Sequence, residues 1–378
     1  MYFSRFNYVS DYEKDGQRLL MNFLSRSCDI VDEESASHFS EKKGVSTEEK
    51  EYALQRGYIF QDETEESALL QKLYHYELQN RRVLSVVPLD TFDGKGLKEV
   101  LEKVKNQDNQ YILFSEHVLD NPLPFDHFNR SLKPHIITTY ENVYVFEPFF
   151  MKNRVSKVSL LLPLSGSIPF AEEIESRVDT LVEYGTPVEI IARVQENEVE
   201  LLKPLMNYFI YKGWPFLENF TCSLEPNPNE GCIFGRWYGT KNMARQIFQE
   251  YAVYPQTEFF SMQNWVGVNP IHSLIWTGKP SPPSFHFCEA SKGLTVLRGC
   301  CEVPCPYMGS NEFEAENAPD CQVCTYALTC GGGCNLKPTQ EAERCPPVKE
   351  LIEASLEYYF DEFLQRIDFY EQYHGGIQ

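Results

Sequence analysis

Long apolar runs are missing from this chain of 378 residues. The longest, Val158–Leu164, is far short of the ~20 residues that cross a bilayer, so no membrane span is expected. Positive charge is scarce as well: 34 Lys and Arg stand against 55 Asp and Glu, a formal net charge of −21. A protein with no surplus cation to displace counterions is a poor binder of nucleic-acid backbones. The opening Met1-Tyr-Phe-Ser-Arg-Phe6 carries no charged-then-apolar secretory signal. The expected location is therefore cytoplasmic, where disulfides rarely persist. Phosphate-binding loops, dinucleotide fingerprints, H-E-x-x-H and nucleophile-elbow serines are absent too. Cysteine is almost missing from the first 221 residues, where Cys28 stands alone, yet nine of the twelve fall between Cys288 and Cys345.

What is present divides into three parts. Residues 1–80 read as a small module. Arg5–Val9 and Arg18–Leu24 are apolar-rich runs around the turn-like Glu13-Lys-Asp-Gly16, predicting two or three strands. Ser46 and Glu49 have the spacing of a capping box, so a helix starts there and ends near Gly57. A short strand, Tyr58–Phe60, follows. Leu69, Leu70, Leu73 and Tyr74 give the stretch from Glu65 to about Asn80 a helical stripe. Strands with a few short helices fit a winged-helix-like module. The acidic stretch from Asp29 to Glu51 reads as solvated loop and helix face.

Residues 81–265 alternate between strand and helix patterns. Strands are expected at Val83–Pro88, Tyr111–Phe114, His135–Thr139, Val143–Phe150, Lys157–Leu162, Val188–Val194 and Phe216–Leu224. Helices are expected at Leu97–Val104, at Glu172–Tyr184 with Gly185 as its cap, and at Asn197–Lys212, stopped by Gly213. This alternation predicts an α/β fold with a mostly parallel sheet, open or closed into an incomplete (β/α) barrel. Glu116 and His117 follow a strand end, a favoured place for function, although such a pair is more often a cap or surface pair. Beyond Pro226 one short helix, Lys241–Tyr251, is expected among long loops. The aromatic clusters at Trp214 and Trp237 read first as core.

Residues 266–378 hold the strongest signal: Cys321-Gln-Val-Cys324, five residues, Cys330-Gly-Gly-Gly-Cys334, then Cys345. Cysteines at i and i+3 bring two sulfurs to one side of a tight turn. The three glycines let the backbone curl closely and offer amides to cofactor sulfurs. Upstream stand Cys288, Cys300, Cys301 and Cys305, with a hairpin expected between Leu294 and Pro304. Iron–sulfur ligation, structural zinc and plain thiols all fit such residues, and zinc sites seldom need a glycine triplet. Cys28, Cys222 and Cys232 read as small buried hydrophobes. A helix from Pro347 to about Tyr373 closes the sequence.

At these residues the sequence resembles the SPASM domain of radical SAM peptide and protein maturases. The resemblance implies two [4Fe–4S] clusters. One would be held by Cys321, Cys324, Cys330 and Cys345, the other by Cys288, Cys305 and Cys334. The family often has a further ligand about six residues before Cys288, and Pro282 stands there. Cys300, Cys301 or His286 could supply the fourth ligand, or one iron could be open; His286 reads first as a hairpin residue. Residues 159–226 look like the later half of a radical SAM barrel, and the opening module resembles a leader-peptide-binding module of such maturases.

The resemblance also implies what should follow the first barrel strand: a C-x3-C-x2-C loop for the cluster that binds SAM. Here the loop reads Leu89-Asp-Thr-Phe-Asp-Gly-Lys95, without cysteine, and the glycine-glycine-acidic SAM grip is absent after Tyr111–Phe114. SAM binding is therefore not expected. The reading is a degenerate relative acting on a ribosomally made precursor peptide, with a partner maturase as a further candidate. The alternatives are a non-catalytic scaffold with structural clusters or zinc, and an active radical SAM maturase with unusual ligands.

Overall fold

A computed structural model describes residues 1–80, 84–91, 99–100, 110–119, 133–152, 155–164, 172–226, 237–286, 295–298, 301–303, 321, 323–332 and 345–374. The first module opens with strand β1 (Tyr2–Phe3). A three-stranded antiparallel meander follows: β2 (Asn7–Lys14), β3 (Gln17–Asn22) and β4 (Ser27–Asp32). Helices α1 (Glu33–Glu41) and α2 (Thr47–Arg56) come next. The Ser46–Glu49 capping box forms as its spacing predicts, and Gly57 ends α2 at φ 72°. Strand β5 (Ile59–Phe60) pairs with β1, and α3 (Glu63–Asn80) completes the module. The acidic stretch thus contains most of β4, all of α1 and the first half of α2 rather than loop and helix alone.

The next strands run β6 (Leu84–Pro88), β7 (Gln110–Ser115), β8 (His135–Thr139), β9 (Lys157–Pro163), β10 (Val188–Val194), β11 (Phe220–Pro226) and β12 (Phe260–Ser261). Each lies parallel beside its predecessor, the order of a singly wound (β/α) barrel. The expected hairpin forms as β13 (Thr295–Arg298) and β14 (Cys301–Val303). Its first strand adds parallel to the outer side of β6, which brings the parallel set to eight strands in a nine-stranded sheet. The hairpin therefore extends the barrel sheet instead of standing apart from it. Among the described residues the sheet ends at β12 and β14 without closing.

Helix α4 (Val143–Phe150) replaces an expected strand. A short apolar run does not reveal its period unambiguously. In the fold Val143, Phe146, Phe149 and Phe150 are buried, a helical spacing. Helices α5 (Glu172–Glu183) and α6 (Leu202–Lys212) form where expected, although Glu196–Leu201 is a 3-10 turn leading into α6. Trp214–Phe216 is likewise a 3-10 turn, not the start of a strand. Trp214 and Trp237 are buried, as a core reading requires. The expected helix Leu97–Val104 lies outside the described residues except at its centre. Beyond α7 (Lys241–Val253), an unexpected helix α8 (Val268–Thr277) stands where the sequence suggests only loops.

The C-terminal third contributes the short helix α9 (Ala327–Cys330) and the long helix α10 (Val348–His374). Helices α7 and α8 both pack against α10. Gly267, at φ 82°, permits the closest approach: a Cβ there would stand 2.7 Å from Leu351 Cβ and from the Val348 carbonyl oxygen.

The first module is not free-standing. Phe6, Tyr8, Met21 and Phe23 belong to the same apolar core as the barrel strands and α10. Glu353 of α10, only 5% exposed, accepts hydrogen bonds from Asp11 N and Tyr12 N, each 2.8 Å long, and from the Tyr8 hydroxyl. Lys349 pairs with Asp11 at 2.6 Å, and Lys14 pairs with Asp361. Tyr326, just before α9, packs against Tyr8 and Phe23 with centroids 6.0 and 6.1 Å apart.

Candidate functional site

Side chains alternate across a strand, so each barrel strand has a helix-covered face and an inner face. Val158, Leu160, Leu162, Ile190, Ala192, Val194, Cys222 and Leu224 are buried on the first, and α5 packs on β10 there. Lys157, Ser159, Glu189, Arg193, Ser223 and Glu225 alternate with them and share the other. A hydrophobic sheet face with no function has no need of this many charges. The inner polar residues form two groups.

The upper group lies at the C-terminal ends of the strands, where (β/α) folds place their chemistry. Arg193 of β10 and Glu225 of β11 are register partners. Arg193 donates from Nε to Glu225 Oε2 at 2.7 Å and from Nη2 to Glu116 Oε1 at 2.6 Å. Burial opposes the Arg193 charge, but Glu225 and Glu116 outweigh it and hold the guanidinium more firmly protonated than usual. Glu225 is 1% exposed, and its Oε1 is buried without a hydrogen-bond partner among the described residues. Burial raises its carboxyl pKa, only partly countered by Arg193.

A hydrogen-bonded brace supports this group. Ser115 Oγ lies 2.6 Å from the His117 carbonyl oxygen and also contacts Asp90, just beyond β6. The Glu116 amide donates to Asp90 Oδ2 at 3.3 Å. Buried Asn142 donates to the His117 carbonyl at 2.7 Å and to Thr138 Oγ1 at 2.9 Å, and accepts from the Leu119 amide at 2.8 Å. The Glu116–His117 pair thus separates into a side chain aimed at Arg193 and a backbone turn held by Asn142. Arg193 and Glu225 escape sequence reading because the Arg193–Glu116 contact joins residues 77 positions apart. The available signal is a charge interrupting each of two buried strands.

The lower group sits nearer the strand starts. Glu189 accepts from Lys157 at 2.8 Å, Ser159 at 2.6 Å and Ser223 at 2.9 Å. Burial disfavours its charge, but Lys157 and these donors overcome that and hold the carboxyl below its usual range. His135 Nε2 stands 2.8 Å from Ser159 Oγ. Burial, reinforced by Lys157, pushes the His135 pKa down to about 4. Below the unfolded value of 6.5 the unfolded chain takes up a proton that the folded chain refuses until about pH 4. Stability attributable to His135 is therefore complete above pH 6.5 and falls through that window, by up to about 3 kcal/mol. Urea melts at about pH 7 and about pH 4.5, on either side of most of that window, should show a smaller acid loss in His135→Gln than in the parent. Equal losses would remove this assignment.

The cysteine segment is described in part. Cys321 and Cys324 are half-buried, Cys330 is buried at the end of α9, and Cys345 is exposed just before α10. Gly331 and Gly332 take φ values of 72° and 91°, and the chain folds back so that Cys321 Sγ lies 4.0 Å from the Gly332 carbonyl oxygen. This curl is what the glycine triplet is expected to provide. Among the described residues, no three His, Cys, Asp or Glu side chains gather as a metal site. Cys288, Cys300, Cys305 and Cys334 lie outside the described residues. Cys301 is in β14, paired in register with Arg298. The His286 ring lies 6.2 Å from that of Tyr74 on α3. Thiolates suit iron–sulfur clusters and zinc alike, and the curled turn suits a ligand loop.

No protein-family model matches this chain, and no curated protein matches it in sequence. Solved structures with a similar backbone include native anSMEcpe with bound AdoMet, at 12% identity and a TM-score of 0.49 over 75% of this chain and 99% of that one. Native anSMEcpe with bound AdoMet and Cp18Cys peptide gives 14% identity and a TM-score of 0.48, again over 75% and 99%. The (S)-3-O-geranylgeranylglyceryl phosphate synthase from Thermoplasma acidophilum gives 11% identity and a TM-score of 0.24, over 48% of this chain and 76% of that one. All three likenesses are too distant to carry chemistry, which therefore rests on the residues of this chain.

Proposed function

We propose that this protein takes part in the maturation of a ribosomally made peptide, as a relative of radical SAM/SPASM maturases that does not cleave SAM. One observation carries this reading. β6 is the first parallel strand of the barrel, and residues 89–109 after it contain no cysteine, while the cysteine turn packs against the N-terminal module through Tyr326. The described part of the cysteine turn stands beside the module, and the segment after β6 holds no cysteine for a SAM-binding cluster.

Cys321, Cys324, Cys330 and Cys345 would hold one cluster, and Cys288, Cys305 and Cys334, with Cys300 or Cys301 as further candidates, the other. Such clusters, when bound, relay electrons or offer an open iron to a substrate donor. The barrel's inner charges would orient a peptide. Within the meander, Glu353 covers one edge by capping the β2 amides, and β4 is the other edge, with no strand beyond it among the described residues. A leader peptide adding a strand would do so at β4.

Anaerobic purification with iron and sulfide analysis tests the proposal. Two [4Fe–4S] clusters require about eight iron and eight sulfide per chain, and Cys321→Ser with Cys324→Ser should remove about half. Incubation with SAM and dithionite should release no 5′-deoxyadenosine. A colourless protein carrying zinc would overturn the cluster assignment in favour of a structural scaffold, and release of 5′-deoxyadenosine would overturn the degenerate reading.

A further inference from the structure

A second site lies beside the barrel. A cleft of about 890 Å³ opens between the segment around β12, helix α8 and helix α10. Its floor and walls include Phe259, His272, Trp276 and Tyr359, and its lining contains one carboxylate, Glu258, and neither Lys nor Arg. Glu258 is half-buried, and its Oε1 accepts from the Tyr359 hydroxyl at 2.9 Å. Among the described residues its Oε2 accepts nothing, and no cation pairs with it. Burial raises its carboxyl pKa and nearby Glu362 adds to this, with only the Tyr359 hydroxyl acting the other way. His272 does not provide a cation at neutral pH, because burial lowers its pKa. Trp276 is 63% exposed at the rim, its ring 5.9 Å from that of His272.

A carboxylate without a cation, in a cleft whose lining also includes an exposed indole and an imidazole, matches a planar cation. A guanidinium can form hydrogen bonds to the carboxylate while its face lies on an aromatic ring, which a compact ammonium does less well. An anion would meet the Glu258 charge with no Lys or Arg in the lining to offset it. The cleft exceeds the size of one side chain, which leaves room for flanking residues, and the net charge of −21 favours a basic partner at long range.

We propose that this cleft binds an arginine side chain of a peptide, its guanidinium on Glu258 and the flanking peptide along the rim at Trp276. The site is independent of the cysteines and of the barrel mouth. Trp276 also supplies the readout, since Trp214, Trp237 and Trp265 are 2, 4 and 0% exposed. The full chain is titrated with acetyl-Gly-Arg-Gly-amide while tryptophan fluorescence is recorded, and the same peptide with citrulline in place of arginine serves as the uncharged isostere. A saturable change is expected with the arginine peptide, weakened about tenfold or more by citrulline and by Glu258→Gln, as loss of one charge-assisted contact implies. Gln can still accept from Tyr359, so that variant retains the wall of the cleft. Trp276→Phe should abolish the signal. Equal affinity for both peptides, an unaltered affinity in Glu258→Gln, or no saturable change would overturn the proposal. None of these readouts depends on bound iron, so their failure leaves the maturation reading standing, and the iron analysis leaves this one standing.

Discussion

Replacing Arg193 with Ala is expected to cost about 3–5 kcal/mol of stability, the usual result of breaking a buried ion pair from one side. Glu225 would be left 1% exposed with neither oxygen satisfied, since its Oε1 is already unpartnered among the described residues and its Oε2 depends on Arg193. The carboxyl pKa is raised even with the guanidinium present, and losing that charge would raise it further. The variant should therefore take up a proton on folding at neutral pH, and its stability should fall as pH rises. The parent should show a shallower slope. The double variant Arg193→Met with Glu225→Leu should recover most of the loss, because it removes the uncompensated charge along with its partner. Urea midpoints at about pH 6 and about pH 8 for all three proteins decide the matter. A loss below about 1 kcal/mol in Arg193→Ala would mean that water reaches Glu225 and screens it.

Glu353→Ala should cost about 3 kcal/mol. Three donors converge on this carboxylate, and hydrogen bonds to a charged acceptor contribute about 1.5–3 kcal/mol each. Asp11 and Tyr12 are near enough to solvent that water replaces part of what they lose, whereas Tyr8 is buried. Burial beside Glu353 already drives the Tyr8 hydroxyl far above the ordinary phenol range, so it functions only as a donor. Adding Tyr8→Phe to Glu353→Ala should restore part of the loss by removing the orphaned hydroxyl. The decisive readout is hydrogen exchange. Amides of β2 and β3 should lose protection in Glu353→Ala, while those of β9 and β10 keep theirs. Uniform loss across the chain would instead mean that the module and the barrel unfold as one unit.

Local features are legible in the residues themselves. The Ser46–Glu49 capping box, the Gly185 and Gly213 stops, the hairpin after Leu294 and most of the parallel strands follow from caps, turns and periodicity, which act over a few residues. Val143–Phe150 reads as a strand because a short apolar run fits a buried strand as well as a buried helix, and packing of Phe146 and Phe149 decides between them. Helix α8 escapes detection because it contains Pro270, and because its cap, Gly267, is chosen by contact with α10 rather than by local capping chemistry.

The acidic charge, the α/β alternation, the clustering of cysteines around a glycine triplet and the lack of cysteine after the first barrel strand are all settled by the order of residues alone. These are properties of composition and spacing, which no fold can alter. Folding was needed to decide that Arg193 bridges Glu116 and Glu225, that Glu353 fastens the first module to the last helix, and that Glu258 shares a cleft with Trp276. The reason is physical. Each arrangement is a meeting of groups from distant strands or helices, and whether a charge is paired, orphaned or solvated depends on burial and neighbours, which exist only once the chain has closed on itself.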